Sequence, residues 1–282
     1  MSKELISNAE FGGERPLYSR HDLRLENVTV HAGESALKET ARIEAASCRF
    51  EGKYPFWCCD GFELHDCLFT EGARAALWYS SGLLMEDCLV EAPKMFRRMN
   101  GMTVRRVRMP NALETFWDCN GLVLEDSEIS KADYIFMHTG DIRIRGLKLQ
   151  GNYSFQYSKD VEIRDSVLIT KDAFWEAENV TVYDSVINGE YLGWYSRGLR
   201  LVRCRIGGTQ PLCYAEDLVL EDCTFEPDAD LAFEYSTVKA DIRGAIVSVK
   251  NPRSGKIVAD SIGEIILDEN IKAPGDCKIL TR

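Results

Sequence analysis

Between Tyr54 and Val238 the chain writes nearly the same eight-residue phrase ten times. Examples are YPFWCCDG at 54–61, AALWYSSG at 75–82, ETFWDCNG at 114–121, DAFWEAEN at 172–179 and YLGWYSRG at 191–198. Each phrase runs into a second one, such as FELHDCLF, LLMEDCLV, LVLEDSEI or VTVYDSVI, and copies recur every 19 to 22 residues. A period of that length marks a stacked-repeat architecture, in which one repeat cannot bury its apolar face alone. The second phrase alternates apolar and polar residues and is rich in Val, Ile and Leu, so it reads as a strand. The first ends in Gly, Asp or Asn, residues that tolerate the left-handed backbone of a sharp corner. Leucine-rich repeats have similar length, but their Leu-x-x-Leu-x-Leu-x-x-Asn signature is absent. The fold that fits is all-β: a single-stranded, right-handed parallel β-helix of about 12 coils. One domain is expected over 1–282, with an N-terminal cap and first coil at 1–40, regular coils at 41–247 and a closing segment at 248–282.

Stacked parallel strands lie about 4.8 Å apart, so columns of the repeat are physical ladders. Phe56, Leu77, Phe96, Phe116, Phe136, Phe155, Phe174, Gly193, Leu212 and Phe233 form one column, expected to face inward. Another contains Cys48, Cys67, Cys88, Val107, Ser127, Leu147, Ser166, Ser185, Cys204 and Cys223, small residues suited to a tight inward bend. Five of the ten cysteines thus sit in one column as small buried hydrophobes. No C-x-x-C pair occurs, and MSKELISNAEF lacks the apolar stretch of a secretory signal, so a reducing cytoplasm is expected. His65 beside Cys67 is the one pair suggestive of a metal; neither a metal nor another cofactor is expected.

If phenylalanine faces inward, strand alternation sends the next column outward. All five tryptophans fall in that column: Trp57, Trp78, Trp117, Trp175 and Trp194, with Arg97 among them. Beside it run Tyr79, Arg98, Asp118, His138, Glu176, Tyr195, Tyr214 and Tyr235. Lys94, Glu114, Asp133, Lys171, Asp172 and Glu190 precede the aromatic positions. Indoles and phenols interleaved with charges suit sugar rings, whose C–H faces stack on aromatic faces. A carbohydrate-binding or carbohydrate-processing groove, for an acidic sugar above all, is the first expectation. The other is a non-enzymatic scaffold in which the stripe docks a partner or forms a homodimer.

Glycosidases need two carboxylates about 5–10 Å apart. Asp118 and Glu176 lie three coils apart, too far, whereas Glu114 and Asp133 are on neighbouring coils. An alternative set is His138 as a base oriented by Asp118, with Arg98 or Arg97 binding the acid group of the sugar. The net charge of -11 speaks against general nucleic-acid binding, and no apolar run is long enough for a membrane helix. Between Ala92 and Leu113, however, six basic residues meet no acidic one: Lys94, Arg97, Arg98, Arg105, Arg106 and Arg108. They suit either ion pairs with neighbouring coils or an anionic ligand.

The phrases GERPL at 13–17, APKMFRR at 92–98, KDAFWEAENVTVYDSVINGEYLGW at 171–194 and VKNPRSGKI at 249–257 resemble a bacterial domain-of-unknown-function family. That family belongs to the pectin-lyase-like β-helix superfamily. The resemblance spans almost the whole chain and implies the fold, but no catalytic residues. The superfamily's Gly-His-Gly, Arg-Ile-Lys and Arg-x-Pro-x-x-Arg signatures are absent, as are Asn-Thr-Asp with a following Asp-Asp and the calcium-binding Asp cluster. Fold alone does not give function.

Overall fold

The computed structural model describes residues 3–271 and 275–282. The chain is a right-handed parallel β-helix of about 14 coils, two more than expected. The difference arises largely before residue 41. Glu4–Ser7 pairs in parallel with Leu23–Glu26, which pairs with Ala41–Ala46, so the ladder already runs through residues 4–40. The closing segment likewise continues the ladder: Thr237–Lys250 pairs with Ser254–Ile266, and that strand with Lys278–Thr281. Among the described residues the one helical element is a short 3-10 turn at Glu71–Ala73, and no helix could cross a membrane.

The chain divides into two compact units, Met1–Arg143 and Ile144–Arg282. In the first, successive coils align Ile43, Phe62, Leu83, Met102 and Leu122 in strict register, all buried. A second, two-residue strand aligns Phe50, Phe69 and Val90. In the second unit the equivalent ladders are Val182, Leu201 and Leu220, and Leu149, Leu168, Ile187, Ile206 and Phe225. Continuous apolar columns form because each coil buries its inward face on the next. The bend between the two strands holds Cys48, Cys67 and Cys88 in one unit and Cys204 and Cys223 in the other, all buried free thiols.

The inward phenylalanine column is present in both units. Phe96 and Phe116 stack at 4.4 Å, Phe116 and Phe136 at 5.3 Å, and in the second unit Phe155 and Phe174 at 5.3 Å. The backbone that presents them is not the expected strand. Positive φ recurs at every second residue, as at Glu114 (51°), Phe116 (57°) and Asp118 (54°), or Asp172 (49°), Phe174 (59°) and Glu176 (50°). A non-glycine residue in this region costs roughly 1–2 kcal/mol. Ladder hydrogen bonds hold it there: Phe116 N–H donates to Met95 at 3.1 Å and Asp118 N–H to Met137 at 3.0 Å. Inward and outward columns still alternate, although Gln156 and Cys213 of the outward one are buried. The phrase-ending Gly61, Gly82, Gly101 and Gly121 adopt φ of 63° to 71°, the left-handed corner.

Candidate functional site

In the Met1–Arg143 unit the outward tryptophans are half-buried and occupied by the protein's own cations. The Arg97 guanidinium lies 4.4 Å from the Trp78 ring and 4.5 Å from Trp117, a cation sandwiched between two indoles. Lys38 lies over Trp57 at 5.7 Å, and the Trp57 ring also packs on Tyr54 and stacks with Tyr79. Both indole N–H groups beside Arg97 are satisfied: Trp78 donates to the Lys94 carbonyl at 2.8 Å and Trp117 to that of Tyr134. Glu114 meets Lys94 at 3.0 Å and Arg97 at 3.6 Å. The Nε and one terminal nitrogen of Arg97 are buried without a hydrogen bond, so its place rests on ring contact and charge.

The basic run is mostly paired in the same manner. Arg105 reaches Glu125 and Glu86, and Arg106 reaches Asp87 and Glu86. Of the proposed proton-transfer set, Arg98 and Asp118 come together at 3.8 Å. His138 is exposed in the same column one coil on, and Asp133 is half-buried one coil beyond Glu114, whose N–H donates to its carbonyl at 2.9 Å. His65 lies between Glu63 and Glu86 rather than on Cys67, and among the described residues no three side chains are placed to hold a metal ion.

The Ile144–Arg282 unit is built differently. Trp175 and Trp194 stack on each other at 5.5 Å with planes 20° apart, and both indole nitrogens are buried without an acceptor. Asp172 is 3% exposed with one carboxylate oxygen unpartnered, and burial pushes its carboxyl above the ordinary carboxylate range. Lys171 and Glu190 pair at 3.0 Å, with Lys171 5.4 Å from the Tyr191 ring. Gln156 and Cys213, on the same outward column, are buried.

From Trp194 the aromatic surface passes to Tyr195 at 5.8 Å and Tyr214 at 6.4 Å. Tyr195, Tyr214 and Tyr235 then form a ladder with ring separations of 5.1 and 5.2 Å, each pair tilted by 39°. The ladder lines a cleft of about 570 Å³ whose remaining wall is Glu216, Arg253, Asn270 and Ile271. Glu216 forms ion pairs with two guanidiniums, Arg197 at 3.2 Å and Arg253 at 3.6 Å. Burial, then the nearby Glu234 and flanking phenols, raises the Tyr214 pKa. Tyr195 is 52% exposed, an open aromatic face. Stacking faces with a few convergent polar groups are the usual makings of a small-molecule site.

The tyrosines could be read from the column beside the tryptophans. Arg253, Asn270 and Ile271 could not, because they lie where the repeat breaks, in NPRSG and LDENI.

Solved structures similar to the chain include a mutant of the periplasmic alginate epimerase AlgG, at 9% identity over 98% of this chain and 74% of that one, with a TM-score of 0.36. A mutant tailspike protein of E. coli bacteriophage HK620, in complex with pentasaccharide, is 8% identical over 100% of this chain and 71% of that one, with a TM-score of 0.34. The A-module of an Azotobacter vinelandii mannuronan C-5 epimerase is 11% identical over 93% and 73%, with a TM-score of 0.26. No curated protein shows significant similarity to the chain. Residues 4–280 match one family model throughout, and the chain belongs to that family, described as "Protein of unknown function (DUF3737)".

Proposed function

We propose that the chain binds a carbohydrate, of acidic type, in the tyrosine cleft of the Ile144–Arg282 unit. The observation that carries this is the ladder of exposed Tyr195 and half-buried Tyr214 and Tyr235, whose 5.1 and 5.2 Å steps are about the length of one pyranose residue. Successive sugar rings would lay their C–H faces on successive phenols, an arrangement that rewards apolar contact without burying hydroxyls. Glu216 and Asn270 supply acceptors and donors for hydroxyls, and Arg253 supplies a cation for a sugar carboxylate. The tryptophans of the Met1–Arg143 unit serve the fold in this reading, since Arg97 and Lys38 lie against their rings.

Isothermal titration with a neutral cello-oligosaccharide and an acidic oligogalacturonate tests it. The acidic chain binds more tightly, and Tyr214→Ala weakens binding about tenfold, the loss of one stacking platform. Absence of binding by either sugar, or affinity indifferent to Tyr214→Ala, would contradict the reading.

A further inference from the structure

One buried residue outside the cleft touches both of its sides. Asn251 stands at the corner between Thr237–Lys250 and Ser254–Ile266, is 3% exposed, and adopts φ of 40°, which asparagine tolerates better than most residues. Its carbonyl accepts the N–H of Tyr235, the last rung of the ladder, at 3.0 Å. Its own N–H donates to Ile266 at 2.9 Å. Its side chain exchanges two hydrogen bonds with Asp268: the amide donates to the carboxylate at 2.8 Å, and the amide oxygen accepts the Asp268 N–H at 2.9 Å. Asp268 begins the short stretch that supplies Asn270 and Ile271 to the cleft wall. Floor and wall therefore meet at a single residue, the floor on its backbone carbonyl and the wall on its side chain.

We propose that Asn251 and Asp268 form a latch that sets the width of the tyrosine cleft, making Asn251 a positioning residue for the ligand. The part concerning affinity rests on the carbohydrate reading; the part concerning the wall does not. Residues 267–270 are exposed and lie beyond the end of their strand, so the side-chain pair is a principal tie to the floor. The bond from the amide to the Asp268 carboxylate is charge-assisted, and the bond from the Asp268 backbone N–H fixes the orientation of the amide. The side-chain bond can also be inverted, because swapping amide and carboxylate keeps one donor facing one acceptor.

The test uses N251D and the exchanged pair N251D/D268N. In N251D two carboxylates face each other and the amide donor is gone, while the shape is retained. The amide hydrogen of Asp268, which donates to Asn251, should then exchange with deuterium about tenfold faster, and oligogalacturonate affinity should fall about tenfold. N251D/D268N restores the donor from the other side and returns both readouts toward wild type. Unchanged exchange at the Asp268 amide in N251D overturns the latch, as does a double variant that stays as impaired as the single one. Faster exchange with unchanged affinity overturns its role in setting the cleft. If the wild type binds neither sugar, the carbohydrate reading fails, and deuterium exchange still decides whether the latch holds the wall.

Discussion

The two units spend the same outward column in opposite ways. In Met1–Arg143 the indoles are closed by the chain itself: Arg97 fills the space between Trp78 and Trp117, and their N–H groups reach carbonyls of the next coil. In Ile144–Arg282 the stacked Trp175 and Trp194 leave their N–H groups without acceptors, and the aromatic surface passes to the adjoining column, where Tyr195 is exposed and Tyr214 and Tyr235 are half-buried. A repeat can therefore close an aromatic column in some coils and leave the adjoining column as a docking face in others. What decides is the neighbouring coil's residue in that column, a cation in one unit and a second aromatic ring in the other. An aromatic stripe becomes a candidate site only where its faces lack partners within the chain.

The largest expected effect contrasts the two cores beneath these stripes. Phe116 is stacked on both sides, by Phe96 and Phe136, whereas Phe174 has Phe155 on one side and the Gly193 position on the other. Phe116→Ala should lower stability by about 3–5 kcal/mol, and Phe174→Ala by an amount near the bottom of that range. Urea denaturation of both variants measures this; equal losses would show that the gap in the column does not loosen the second core.

A smaller effect separates the closed column from the docking face. Arg97→Met keeps the apolar stem but removes the charge between two indoles, and should cost about 1–2 kcal/mol of stability. Sugar affinity should stay as in the wild type. Weaker sugar binding with unaltered stability would reverse the roles assigned to the two units.

The smallest effect concerns Asp172, whose carboxyl burial holds above its ordinary range. The folded state then binds this proton more tightly than the unfolded one. The associated stability is complete below the unfolded pKa of about 3.9 and is lost as pH rises through the folded value. Asp172→Asn removes that dependence, so its advantage over wild type should grow from about pH 4 to neutral, reaching on the order of 1 kcal/mol. Thermal unfolding across that pH range reads it. A constant difference between the two proteins would mean that the carboxylate is ionised at no cost in the folded unit.

Much of this was legible in the residues. A period of 19 to 22 demanded stacked coils, and the Phe56-to-Phe233 and Cys48-to-Cys223 columns lie inward as the pattern requires. Phrase-ending glycines marked real left-handed corners. The alternating backbone of the aromatic phrase was hidden, because Phe116 or Phe174 with positive φ violates local preference and is held only by ladder bonds between coils. For the same reason the fate of each indole was hidden. Whether Trp117 faces solvent or a guanidinium depends on Arg97, 20 residues earlier in sequence and one coil away in space. The wall residues Arg253 and Asn270 were illegible for a different reason: they stand where the period ends, and column arithmetic says nothing there.

A deuterium-exchange footprint decides whether the ligand face is the tyrosine ladder or the tryptophan–arginine stripe. The protein is labelled with and without saturating oligogalacturonate, and protection is mapped along the chain. Protection at 195–235 and 253–271, with 57–117 unchanged, is the predicted result. Protection centred on 57–117, with the tyrosine segments unaltered, would contradict it.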